Sequence, residues 1–137
     1  MIRIFVLLSC FYVFSQSATT GKKINVPDSD STLQDLIVKT VTPEANRQIH
    51  DSNWWIATPN QHHATKVSVL NNGKLYSTYS FETTFQRSAC PQKTPLSQVS
   101  KCQSDSSKSQ KVLCRTTLAW NEKDYSSIEQ ETYCNRK

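Results

Sequence analysis

The chain has 137 residues, room for one domain and too few for two of ordinary size. It is 36% hydrophobic and 20% charged with only two glycines, which excludes collagen-like chains and highly charged disordered ones. The formal charge of +5 comes from scattered Lys and Arg with no run of five or six, so no nucleic-acid partner is expected.

The first fifteen residues differ in character from the rest. Arg3 supplies a positive charge, Ile4 to Val13 is almost unbroken apolar sequence, and Ser15, Ser17 and Ala18 supply small residues. This is the pattern of a secretory signal peptide over residues 1–15, with cleavage after Ser15 or after Ser17. The apolar run of about ten residues is too short for a membrane span. A buried N-terminal strand is the alternative. No second hydrophobic segment follows, so the mature protein is expected to be soluble, secreted and extracellular. Without Arg3 it carries 15 basic and 11 acidic residues, a net of +4.

Cleavage removes Cys10 and leaves Cys90, Cys102, Cys114 and Cys134, an even set in an oxidising compartment that predicts two disulfides. Spacing alone permits three pairings. The separations of 12, 12 and 20 lack the short CxxC-type pairs of a zinc site. Each sequential bridge would contribute about 3 kcal/mol by loop-entropy arithmetic. No Asn-x-Ser/Thr sequon is present, so N-glycosylation is not expected.

Residues 16–30 read as a polar, extended lead, and residues 31–137 as the domain. Ser31 with Gln34 is a capping-box pattern. Leu33, Ile37, Val41, Ala45 and Ile49 recur every four residues with Leu36 beside them, the apolar face of a helix. Pro43 interrupts that helix by removing a backbone donor and crowding the previous turn. Either the helix bends there or Thr42-Pro43 starts a second short one; a bent unit from Ser31 to Ile49 is the favoured reading.

Beyond Asp51 the period changes to two. Trp54-Trp55-Ile56 and Thr65 to Leu70 read as strands, followed by the hairpin turn signal Asn71-Asn72-Gly73. Leu75, Ser77, Tyr79, Phe81, Thr83 and Phe85 share one parity of a long half-buried strand ending near Arg87. Residues 90–110 form a polar excursion that would be floppy without a Cys90–Cys102 bridge. Val112, Thr116, Leu118 and Trp120 mark another strand, residues 121–124 a turn, and Tyr125 to Tyr133 a return strand. Pairing the last two strands brings Cys114 near Cys134, so a local pairing of the cysteines suits this hairpin. The fold class is α+β, one N-terminal helix packed on four or five antiparallel strands.

Catalytic constellations are poor. His50, His62 and His63 raise the possibility of a metal or a base, but neighbours on a strand point to opposite faces, so His62 and His63 would not chelate together there. Three solvated histidines are expected, with no metal and no cofactor. No Gly-x-Ser-x-Gly elbow accompanies the serines, and paired cysteines cannot serve as nucleophiles. The chain is not expected to be an enzyme. Of Trp54 and Trp55, one ring is expected in the core and the other partly exposed, with an exposed binding hot spot as the alternative.

In its signal peptide, N-terminal helix, antiparallel meander and C-terminal cysteines, the chain resembles the secreted four-cysteine cystatins. Phe85-Gln86-Arg87-Ser88-Ala89-Cys90 resembles the end of that family's central strand, and Cys114-Arg115-Thr116-Thr117-Leu118-Ala119-Trp120-Asn121-Glu122 the strand after its third cysteine. The likeness spans about residues 30–134. It implies a sheet wrapped around the helix, disulfides joining the first cysteine to the second and the third to the fourth, and a monomer. It also implies inhibition of papain-like cysteine peptidases by a wedge that fills the active-site cleft. The family's wedge has a glycine in the lead, a Gln-x-Val-x-Gly first hairpin loop and a Pro-Trp second loop. The matching positions are Gly21 in the lead, Asn71, Asn72 and Gly73 at the first tip, and Trp120 and Asn121 at the second. The first tip has no Gln-x-Val-x-Gly, and Ala119 stands where proline would precede the tryptophan. The simpler readings are an ordinary Asn-Gly turn and a Trp120 that packs in the alternating row. The alternative function is a secreted binding or immune-modulatory protein with inhibition lost and another protein as its partner.

Overall fold

The computed structural model describes residues 19–59, 61–121 and 123–136. The expected signal peptide lies outside the described residues. Among these residues, seven strands form one antiparallel sheet. They are β1 (Thr19–Thr20), β2 (Ile24–Asn25), β3 (Asn53–Ala57), β4 (Thr65–Asn71), β5 (Lys74–Pro91), β6 (Lys111–Asn121) and β7 (Asp124–Arg136). Two of these, β1 and β2, come from the lead, which explains the excess over the four or five expected. The strands run in the order lead–β4–β5–β6–β7, and β3 lies beside the far half of β5, where Ala57 faces Phe85.

The helix α1 is continuous through Ser31–Leu36, Ile37–Val41 and Thr42–Ile49. Its first cap is Asp30, one residue before the expected Ser31: the Asp30 carboxylate accepts the Leu33 N–H at 2.8 Å. The middle stretch is a π turn, where the Thr42 N–H reaches back to the Ile37 carbonyl. A proline ring clashes with the carbonyl four residues earlier. Widening the turn just before Pro43 relieves that clash without breaking the helix. The Thr42 hydroxyl donates to the same Ile37 carbonyl at 2.8 Å.

The predicted stripe is the helix's buried face: Leu33, Leu36, Ile37, Val41, Ala45 and Ile49 all lie in the core. Opposite them stand Tyr79, Phe81 and Phe85 of β5, Val112, Cys114, Leu118 and Trp120 of β6, and Trp55 of β3. Each large side chain so covered contributes about 1.5–3 kcal/mol. Buried Asn46 ties α1 to β3, donating to the Trp55 carbonyl at 2.8 Å and accepting the Trp55 N–H at 2.7 Å. Gln48 reaches the outer edge of β7, donating to the Thr132 carbonyl and accepting the Cys134 N–H.

β5 runs to Pro91, four residues past its expected end near Arg87. Distant segments extend it: Asn53 pairs with Pro91, and on the opposite edge the Ala89 N–H donates to the Gln103 carbonyl. The polar excursion includes a short helix α2 (Leu96–Val99) that buries Val99. Cys90 pairs with Cys102, and Cys114 with Cys134 directly across β6 and β7. No helix among the described residues is long and apolar enough to cross a membrane.

Candidate functional site

Pairing registers bring the lead and two hairpin tips to one edge of the sheet. Asn72 (φ 49°) and Gly73 (φ 73°) form a two-residue turn closed by the Asn71–Lys74 pair. Both turn residues sit in the left-handed region, which Asn and Gly tolerate and which matches the twist of the flanking strands. β6 and β7 turn between Asn121 and Asp124. The Asn121 side chain accepts the Lys123 N–H at 3.0 Å, tightening that tip. Tyr76 lies opposite Asn121, so the first tip extends two residues, about 7 Å, beyond the second.

The lead lies along the outer side of β4, with Thr19 opposite Leu70 and Thr20 opposite Val69. The Gly21 N–H donates to the Ser68 carbonyl at 2.9 Å. A Cβ on Gly21 would fall 2.0 Å from that same oxygen, so only glycine permits this approach. Gly21, Asn71, Asn72, Gly73 and Asn121 therefore share one edge, and all but Asn121 and Gly21 are exposed.

Trp120 is different. It is 3% exposed and stacks on Tyr79 with ring centroids 4.9 Å apart. Its ring belongs to the inner row of the sheet, as the simpler reading of this residue expects, rather than to the exposed tip. Lys66 Nζ lies 5.6 Å from the Tyr79 ring centre on the same side. Beyond this stack the apolar row continues without cover. Leu70 and Leu75 face each other across the hairpin at 53% and 36% exposure; Tyr76, of the other parity, is 38% exposed on the opposite face. Sequence reasoning missed this patch. The signal was present, since Leu75 shares the parity of the buried row, but the parity gives the face and not the reach of the helix above it.

The remaining candidates lie elsewhere. Trp55 is buried, and its indole N–H donates to Asp51 at 2.8 Å; Trp54 is half-buried, and its N–H donates to the Thr94 carbonyl at 3.0 Å. His62 overturns the expectation of three solvated histidines. It is 1% exposed, and its Nδ1 has no hydrogen-bond partner. Burial lowers its pKa, against the opposing pull of Asp28. The segment is held there by the Asp28 carboxylate, which accepts the N–H groups of Gln61 and His62 at 2.8 and 3.1 Å. Those bonds hold Asp28 below the usual carboxylate range. His62 edges a cleft of about 210 Å³ between the π turn and α2, walled by Ile37, Ile56 and Val99. Among the described residues no group of three or more His, Cys, Asp or Glu is placed to hold a metal.

Comparison with known proteins finds no match: no family model, no curated protein and no solved structure is significantly similar to this chain.

Proposed function

We propose that this is a secreted, monomeric, cystatin-like inhibitor that occludes the active-site cleft of papain-like cysteine peptidases. The observation that carries it is the shared edge: a lead clamped through Gly21, beside two hairpin tips, the first of which exposes Leu70 and Leu75 on its inner side. Backbone-rich tips of this kind can enter a cleft while presenting no strained carbonyl for attack. The helix on an antiparallel sheet and the two local disulfides fit the same reading. Paired cysteines and the apolar start of the chain support an extracellular site of action.

The second reading, a non-inhibitory binding or immune-modulatory protein, is favoured by the buried Trp120 and the tight Asn-Gly turn, which replace the family's loop chemistry. Titration of the oxidised mature protein against papain and a cathepsin L-type peptidase separates the two. Inhibition by the edge predicts competitive behaviour with a dissociation constant of about 10 nM or below. Uninhibited turnover at about 50 µM protein, far weaker than any functional wedge, overturns it in favour of the second reading.

A further inference from the structure

The tip edge is basic as well as apolar. The segments that form it, residues 19–25, 66–76 and 119–125, contain five lysines against only Glu122 and Asp124. Lys22 and Lys23 on the lead, Lys74 at the first tip and Lys123 at the second are all exposed. None of these four makes an ion pair or side-chain hydrogen bond with another described residue. Elsewhere Lys39 pairs with Asp35, Arg47 with Glu44, Arg115 with Glu82, and Arg87 with both Asp51 and Asp105, while Lys93, Lys101, Lys108 and Lys111 are exposed like the tip lysines. What sets the tip edge apart is that its exposed lysines stand beside the exposed Leu70, Leu75 and Tyr76.

We propose that the tip edge selects a peptidase whose cleft has an apolar floor and an acidic rim, with Leu70 and Leu75 meeting the floor and Lys22, Lys74 and Lys123 the rim. This rests on the inhibitory reading above and adds the partner's chemistry to it. Charges at an interface rim govern the rate of encounter and the choice of partner more than the lifetime of the complex. The apolar pair, desolvated on docking, governs the lifetime. A pure apolar wedge would bind papain-like peptidases without regard to their rim charge.

The test compares association rates of the wild type and the Lys22→Glu/Lys74→Glu/Lys123→Glu variant against papain-like peptidases ranked by the charge of their cleft rims. The three positions are exposed, and matching thermal midpoints will show that the variant is folded. The expected result is faster association with acidic-rimmed members, lost in the variant by about tenfold or more at low salt and by less at high salt. A Lys→Gln triple variant falls between. Inhibition that is strong but indifferent to rim charge, salt and the lysines overturns the proposal and leaves the inhibitory reading intact. Absence of inhibition across the whole panel overturns both. Lysine-dependent binding to phosphatidylserine vesicles, with peptidase association unaffected by the variant, identifies a lipid surface instead and overturns it too.

Discussion

At the Arg87 end of β5, apolar side chains are covered, and Arg87 and both tryptophan indoles find polar partners. Arg87 bridges Asp51 and Asp105 at 3.0 and 2.8 Å, both tryptophan indoles of β3 donate to oxygen acceptors, and a disulfide ties Cys90 to Cys102. At the opposite end the same sheet exposes Leu70, Leu75 and Tyr76 beside the exposed Lys22, Lys74 and Lys123. Helix α1 covers the middle of the inner row, and nothing among the described residues covers its last pair, Leu70 and Leu75. The contrast separates stability from recognition within one sheet: one end closes the fold, and the other offers the kind of surface that a partner completes.

The sharpest break in this contrast comes from the covered region. Phe85, fully buried between β3, β6 and α1, should on Phe85→Ala lose about 3–5 kcal/mol of stability, read as a fall in the denaturant midpoint. Removing the β6–β7 bridge by Cys114→Ala/Cys134→Ala should cost about 3 kcal/mol by the same measurement. At the open end, Leu70→Ser/Leu75→Ser should weaken peptidase binding by about 2–3 kcal/mol in an inhibition titration. Its unfolding free energy should stay within the range of ordinary surface substitutions, about 0.5 kcal/mol, read from the denaturant midpoint. A large stability loss there would mean that the two leucines are structural and would erase the distinction.

Smaller effects sharpen it. Burial raises the Asp51 pKa, but hydrogen bonds from Arg87, Trp55 and the Asn53 N–H outweigh it and hold the carboxyl far below its usual range. Asp51→Asn should therefore destabilise by about 1–2 kcal/mol, moderated by solvent at this partly exposed pair. His62 has a lowered folded pKa, so the unfolded chain takes up a proton first as the pH falls. Its stabilising contribution is complete above its unfolded value of about 6.5 and declines below it. The depressed carboxylates Asp28, Glu44 and Asp105 act in the same direction but only near and below their own ordinary range, about 4. Denaturant midpoints between pH 7.5 and 5 should thus fall with acidification, and His62→Gln should flatten that slope.

Local physics made much of the fold legible. The four-residue recurrence from Leu33 to Ile49 is the buried face of α1, and the alternation from Ser77 to Phe85 is the inner row of β5. Asn72-Gly73 forms the turn its chemistry demands. What stayed hidden depends on distant contacts. The end of β5 is decided by Asn53 and Gln103, and the burial of His62 by the Asp28 carboxylate more than thirty residues earlier. At the candidate site, Gly21 and both tips were visible as residues. Their meeting at one edge follows from registers that no local pattern encodes. Trp120 divides the same way: its place in the alternating row is read from parity, whereas Tyr79 as its stacking partner is not.

Amide hydrogen exchange of the mature protein with and without saturating, active-site-blocked papain tests the central claim most directly. The account predicts new protection confined to the Leu70–Tyr76 tip, the lead around Gly21 and the Asn121–Asp124 turn, with α1 and the Arg87 end unchanged. Protection that falls on α1 or the Arg87 end, or no protection anywhere, would contradict it.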